Sequence, residues 1–184
     1  MTTEPFVVPA PALTRERVLA ALTRVLAVLL VPFAVLRNPA HPLRVAANWA
    51  LSLRFPAEDL RGLTGATRSA LLAARSLALW RDGQLVGVTS GYRDPARQLS
   101  LYRREVGRAG SPCAARSRVL PPDESAHVRG LAVDVRPREG ALWLERHGAA
   151  LGLYRIYDNE WWHFEYRGAG AAPRRLPSPR FASA

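Results

Sequence analysis

Lysine is absent from this 184-residue chain, so all 26 basic residues are arginine. Only 15 acidic residues oppose them, which leaves a formal net charge of +11 and a sequence pI near 11.3. Arginine without lysine, beside abundant alanine and 15 prolines, reads as the codon bias of a GC-rich genome, so part of the charge is a composition effect. The remainder favours polyanions: cell-wall polymers, anionic lipid or nucleic acid. No basic stripe is interleaved with aromatics and no zinc-finger or RNA-recognition motif occurs, so no specific nucleic-acid partner is expected. A single cysteine, Cys113 in the loop Gly110-Ser-Pro-Cys, excludes an intrachain disulfide. There is no internal repeat.

Long uninterrupted apolar runs are also lacking. The nearest is Val25 to Leu36, twelve residues broken only by Pro32, and extending it back to Val18 takes in Arg24. That length suits a signal-peptide core, a packed helix or a short membrane segment. Arginines flank both ends, so charge sets no orientation. Residues 1–54 are therefore expected to be a Pro-rich start, an apolar helix over Leu13–Leu36 and a linker over Asn38–Pro56 with some helical character. Membrane-anchored, secreted to the envelope and cytoplasmic placements all stay open. The chain's length and 48% apolar content suit one globular domain, expected over residues 55–167. Residues 168–184 read as a polar, flexible tail.

Two short stretches carry the chemistry. The first is Ser125-Ala-His127-Val-Arg-Gly130-Leu-Ala132-Val-Asp134, and the second is Glu160-Trp161-Trp162-His163-Phe-Glu165. Catalytic zinc takes three protein ligands and leaves one position open. His127, Asp134 and His163 are candidate ligands, and Glu160 is a candidate base. The spacing is not that of a helix-borne His pair, so sheet and loops must supply the ligands. Leu131 to Val135 alternates as a strand. The seven-residue step from His127 to Asp134 puts them on opposite faces unless Gly130 supplies a bend. In the second stretch Trp162, Phe164 and Tyr166 share the core parity, and His163 shares the other with Glu165. Glu160 must then precede the strand proper, after a turn at Asp158-Asn159. Glu165 remains a rival base. An unpaired buried carboxylate is costly, and metal ligation at Asp134 removes that cost.

At these residues the chain resembles the D-alanyl-D-alanine metallopeptidases, which include VanX-type dipeptidases and VanY-type carboxypeptidases. Their pattern S-x-H-x-x-G-x-A-x-D followed by E-x-W-H is complete here. Ser90-Gly-Tyr92-Arg93 and the helix after it, through Gln98 to Tyr102, match the family's S-G-Y-R segment. The resemblance spans Ser90 to Tyr166. It implies a zinc peptidase acting on the D-Ala-D-Ala end of peptidoglycan stem peptides or on related dipeptides. It further implies one zinc per chain on His127, Asp134 and His163, with Glu160 as general base. Arg93 would stabilise the oxyanion, and Ser125 and Gln98 would contact substrate. An endopeptidase of the same fold and a catalytically silent wall-binding module are the alternatives. Arg93 could instead pair with Asp94 or another surface acid, and His41 and His147 read as ordinary structural or surface residues.

The remaining patterns place helices over Leu60–Leu79, Asp94–Val106 and Ala141–Leu151, and a strand over Leu85–Ser90. A hairpin-type turn is expected at Asp82-Gly83, and a final hairpin from Arg155–Asp158 and Trp161–Tyr166. The loop Gly107–Glu124 should frame the cleft. The expected class is α+β: a small antiparallel sheet with helices packed on it and the zinc site in a cleft on the sheet. That is also the Hedgehog/D,D-peptidase-like fold the resemblance implies.

Overall fold

A computed structural model describes residues 15–168, 170 and 172–182; the Pro-rich start falls outside them. Along the chain come α1 (Arg15–Arg37), α2 (Pro42–Arg54), α3 (Gly65–Asp82), β1 (Gly87–Ser90), α4 (Pro95–Ala109), α5 (Pro112–Ala115), β2 (Ala132–Arg136), α6 (Arg138–His147), β3 (Leu153–Arg155) and β4 (His163–Tyr166). The strands form one sheet in the order β1-β2-β4-β3, with every neighbouring pair antiparallel. The α+β class is therefore the one expected.

Alternation decides which face of the sheet is covered. Val88, Val133, Val135, Leu153 and Phe164 pack into one core with Ala70, Leu71, Ala74 and Ala78 of α3 and Ala141, Trp143 and Leu144 of α6. Ala132 and Asp134 alternate with these valines, so Asp134 turns away from that core to the opposite face. A second cluster joins α1 and α2 to the end of α3, through Ala20, Ala27, Ala47, Ala50, Leu51, Phe55 and Leu79.

Several elements depart from their sequence expectations, each for a local reason. The stretch read as a linker is mostly helix α2. Its Ala46, Ala47, Ala50 and Leu51 are buried, because small residues let α1 approach closely. Helix α3 starts at Gly65 and not near Leu60, since the Thr64 hydroxyl accepts the Thr67 N–H and caps it. Asp82-Gly83 is no hairpin turn. Gly83, at φ 58°, closes α3 and donates its N–H to Ala78 O and Leu79 O, a left-handed C-cap that favours glycine.

Residues 55–64 are held by a buried ion pair. Arg75 Nη2 lies 2.9 Å from Glu58 Oε2, with the two side chains 1% and 5% exposed. Glu58 Oε1 also accepts the Val88 N–H at 2.5 Å. Removing one member of such a pair strands a buried charge, at a cost of about 3–5 kcal/mol.

The final hairpin pairs β3 with β4, Leu153 opposite Tyr166 and Arg155 opposite Phe164. Residues 156–158 do not join it, because their backbone is taken by the C-terminal segment. Leu176 donates to Ile156 O at 2.9 Å, and Asp158 donates to Leu176 O at 2.9 Å. Residues 172–182, which show no periodicity, thus dock beside the loop that leads to Glu160. Arg175 there pairs with Glu145 at 2.6 Å, and Pro179 is buried.

Candidate metal centre and cleft

Sheet register assembles the site from distant parts of the chain. Asp134 stands opposite Ser90 on one side and His163 on the other, so three adjacent strands each present one residue in a row. His127 comes from the turn just before β2. Gly130, at φ +68°, donates its N–H to His127 O at 3.1 Å. A Cβ at Gly130 would collide with Gly62 O, so both the backbone angle and the space require glycine. This bend removes the parity conflict between His127 and Asp134.

The donor atoms converge. His127 Nε2 lies 3.2 Å from Asp134 Oδ1 and 3.3 Å from His163 Nδ1, and His163 Nδ1 lies 3.0 Å from Asp134 Oδ1. Tetrahedral zinc with bonds of 2.0–2.1 Å separates its ligand atoms by roughly 3.3 Å. The triangle fits that geometry, and all three residues are buried. Hydrogen bonds on the far side of each ring set the tautomers. His127 Nδ1 is 2.6 Å from Gly91 O, an obligate acceptor, so Nδ1 carries the proton and Nε2 offers its lone pair. His163 Nε2 is 3.1 Å from Glu165 Oε1, which leaves Nδ1 to face the centre.

Charge follows from these contacts. Burial pulls the His127 imidazolium down despite Asp134. Burial acts the same way on His163, but hydrogen bonds to Asp134 and Glu165 outweigh it and push its pKa up to about 10. Burial would raise Asp134, yet the two imidazoles hold it well below the usual carboxylate range.

Glu160 precedes β4, as its parity required, and His163 donates its backbone N–H to Glu160 O at 3.3 Å. Glu160 Oε2 lies 3.9 Å from His163 Nδ1, on the side where the donor atoms meet. Burial first, and then the Asp134 and Glu165 charges, raise its pKa to about 7 against the pull of His163 and Arg93. Glu165 sits behind the His163 ring, on the other side from that meeting point.

Arg93 follows β1, and Asp94 caps α4 by accepting from Ala96 N at 2.8 Å. Its partner is neither Asp94 nor a surface acid. Arg93 Nη2 bonds Asp134 Oδ2 at 2.6 Å, Nε donates to Ser90 Oγ at 2.9 Å, and Nη1 reaches Gln98 Oε1 at 3.4 Å. Gln98 is 2% exposed and donates Nε2 to Leu120 O at 2.7 Å. Its amide thus braces Arg93 against the 117–120 loop. Ser125 is buried in the cleft wall. His41 and His147 lie outside the cleft, His41 before α2 and His147 with its ring tilted against Trp143.

The cleft holds about 740 Å³, and residues 117–120 of the expected framing loop line it. Two wall residues were not singled out by their pattern. Tyr157 stacks on the His163 ring, 5.3 Å between centroids, but stands in an irregular loop with no periodic signal. Trp162 lines the cleft and does not enter the core its parity suggested, because β4 begins only at His163.

The chain is similar to known carboxypeptidases in sequence and fold. Residues 67–154 match the family model VanY, D-alanyl-D-alanine carboxypeptidase. That span holds Arg93, Ser125, His127 and Asp134 and stops before Glu160 and His163. Among solved structures, the chain is similar to a variant of the vancomycin resistance D,D-pentapeptidase VanY from a VanB-type resistance cassette, in complex with Zn(II). The two are 26% identical over 61% of this chain and 78% of that one, at TM-score 0.53. It is also similar to VanYB in complex with D-alanine-D-alanine, at 25% identity over 58% and 72% and TM-score 0.53. The LD-carboxypeptidase LdcB, described with the basis of its peptidoglycan recognition, is 25% identical over 62% and 65% with TM-score 0.55. No curated protein sequence matches.

Proposed function

From a VanY-type domain across residues 67–154 as premise, we propose that this protein is a zinc-dependent peptidoglycan carboxypeptidase acting on the D-Ala-D-Ala end of stem peptides. The observation that carries the reading is the buried His127–Asp134–His163 triangle at zinc-ligand spacing, with Glu160 beside it. His127, Asp134 and His163 would hold the zinc, which would supply Lewis acidity and acidify water at its open position. Glu160 accepts the proton of the attacking water and returns it to the leaving amine. Arg93, fixed by Ser90 and Asp134, offers its guanidinium to the carbonyl oxygen as charge develops there. Arg97 and Arg118 add positive charge to the wall, partly offset by Glu105, which suits a peptide ending in a carboxylate.

The full chain is expected to bind one zinc and His163→Ala to lower that affinity by orders of magnitude, with metal analysis and chelator competition as the check. Stoichiometric zinc in a His127→Ala, His163→Ala double variant sinks the metal assignment. Release of D-Ala from a pentapeptide ending in D-Ala-D-Ala, and not from the tetrapeptide, marks D,D specificity. The likeness to LdcB makes the reverse preference the second reading.

For localisation, we propose that α1 lies along a membrane surface. Ala20, Thr23, Ala27 and Ala34 form its buried stripe, packed with α2 in the second cluster. At 100° per residue, the opposite stripe is Leu22, Val25, Leu29, Phe33 and Leu36, each 57–86% exposed. Arg15 and Arg37 stand at the two ends of the helix. The helix is long and apolar enough to span a bilayer, but crossing would drag the packed α2 with it. Lying flat needs no unpacking, and the arginines reach anionic headgroups. The chain should co-float with vesicles containing anionic lipid, and a Leu29→Glu, Phe33→Glu variant should not. A wild-type chain that ignores vesicles or forms dimers through this stripe contradicts the idea.

A further inference from the structure

Each donor in the triangle has a partner on its outer side, but the three partners differ in kind. His127 is backed by a neutral carbonyl, Gly91 O, at 2.6 Å. Asp134 is backed by a cation, Arg93, at 2.6 Å. His163 alone is backed by a carboxylate, Glu165, at 3.1 Å. Glu165 is 2% exposed, and a carboxylate so placed is costly without compensation. Its other oxygen meets Arg167 Nη2 at 2.6 Å, and that arginine side chain is 46% exposed.

We propose that Glu165 is a positioning residue for the metal, and that Arg167 positions Glu165 in turn. The inference rests on the zinc reading of the triangle. His163 and Glu165 share one parity of β4, so the carboxylate stands two residues along on the same face and behind the ring. By accepting the Nε2 proton it holds His163 in the tautomer whose Nδ1 faces Asp134 and His127. A charged acceptor also raises the electron density of the ring, so Nδ1 becomes a stronger ligand. Tyr157, stacked on the ring's face, restrains ring tilt while Glu165 restrains rotation. Glu165 belongs to the cleft lining, but its Oε1 is engaged by His163 Nε2 and its Oε2 by Arg167, so its effect passes through His163.

The sequence offered Glu165 as a rival to Glu160. The two carboxylates instead divide the work. Glu160 stands on the side of His163 where the donors converge, and Glu165 stands on the side where the ring is anchored.

The test compares zinc dissociation constants of the full chain, measured by chelator competition, with thermal melting of the zinc-free proteins. Glu165→Gln keeps the shape and removes the charge, and is expected to weaken zinc about tenfold to hundredfold. Arg167→Ala, which leaves the carboxylate in place, is expected to weaken it less. A packing role alone would lower the zinc-free melting temperature of Glu165→Gln and leave zinc affinity within twofold of wild type, and that result overturns the inference. If Glu165→Gln does not fold, Arg167→Ala decides, and unchanged affinity there overturns the relay from Arg167. A wild-type chain that binds no zinc removes the parent reading as well, so the two failures are distinguishable.

Discussion

Replacing Glu160 by glutamine leaves zinc bound and lowers kcat by about 10²–10⁴-fold, the range that general acid–base catalysis contributes. The side chain keeps its volume and loses only its ability to take a proton. Metal content near one per chain together with the rate loss is the expected pair of results. Its pH dependence has a definite sign. Burial raises the Glu160 pKa to about 7, and a base works only when deprotonated, so kcat/KM rises with pH through an acidic limb. A dication beside the carboxylate moves that limb below 7, since it favours the ionised form. Full activity in Glu160→Gln, or a limb that persists unchanged in it, removes Glu160 from the proton path. Glu165→Gln loses activity only as far as it loses zinc, and restoring zinc occupancy restores the rate.

Arg93→Ala is expected to lower kcat by about 10²–10³, or roughly 3–4 kcal/mol, the magnitude found when an oxyanion donor is removed. KM changes far less, because the interaction develops chiefly in the transition state. Lysine restores only part of the rate, since it lacks the planar fork that spans Asp134 and Ser90 at once. The contact with Asp134 Oδ2 adds a second route to the same loss, through a loosened ligand. Zinc titration separates the two: rates that recover at saturating zinc place Arg93 behind Asp134, and rates that stay low place it on the oxyanion. A rise in KM alone assigns Arg93 to the substrate's terminal carboxylate.

Much of the site was legible because its signals are local. His127, Gly130 and Asp134 lie within eight residues, and the need for a bend between them follows from strand parity alone. The structure meets it at Gly130, at φ +68°. Asp94-Pro95 likewise announces the start of α4, because capping is settled within one helical turn. Helix α2 was read as a linker since three of its four buried residues are alanine, whose burial depends on a partner helix. The docked segment around Leu176 shows no pattern, because it is held by backbone hydrogen bonds to Ile156 and Asp158.

Residue chemistry and spacing along the chain were enough to specify the donor types, their order and the class of fold, since each rests on interactions within a few residues. Which carboxylate faces the donors and which one stands behind the ring was decided only by tertiary structure. Parity holds only inside a strand, and β4 begins at His163, where Ile156 to Trp162 have left the hairpin. That boundary is set by a segment far along the chain that takes the backbone groups of Ile156 and Asp158. Arg93 meets Asp134 across 41 positions of sequence for the same kind of reason: strand register, a long-range property, brings Ser90 beside Asp134.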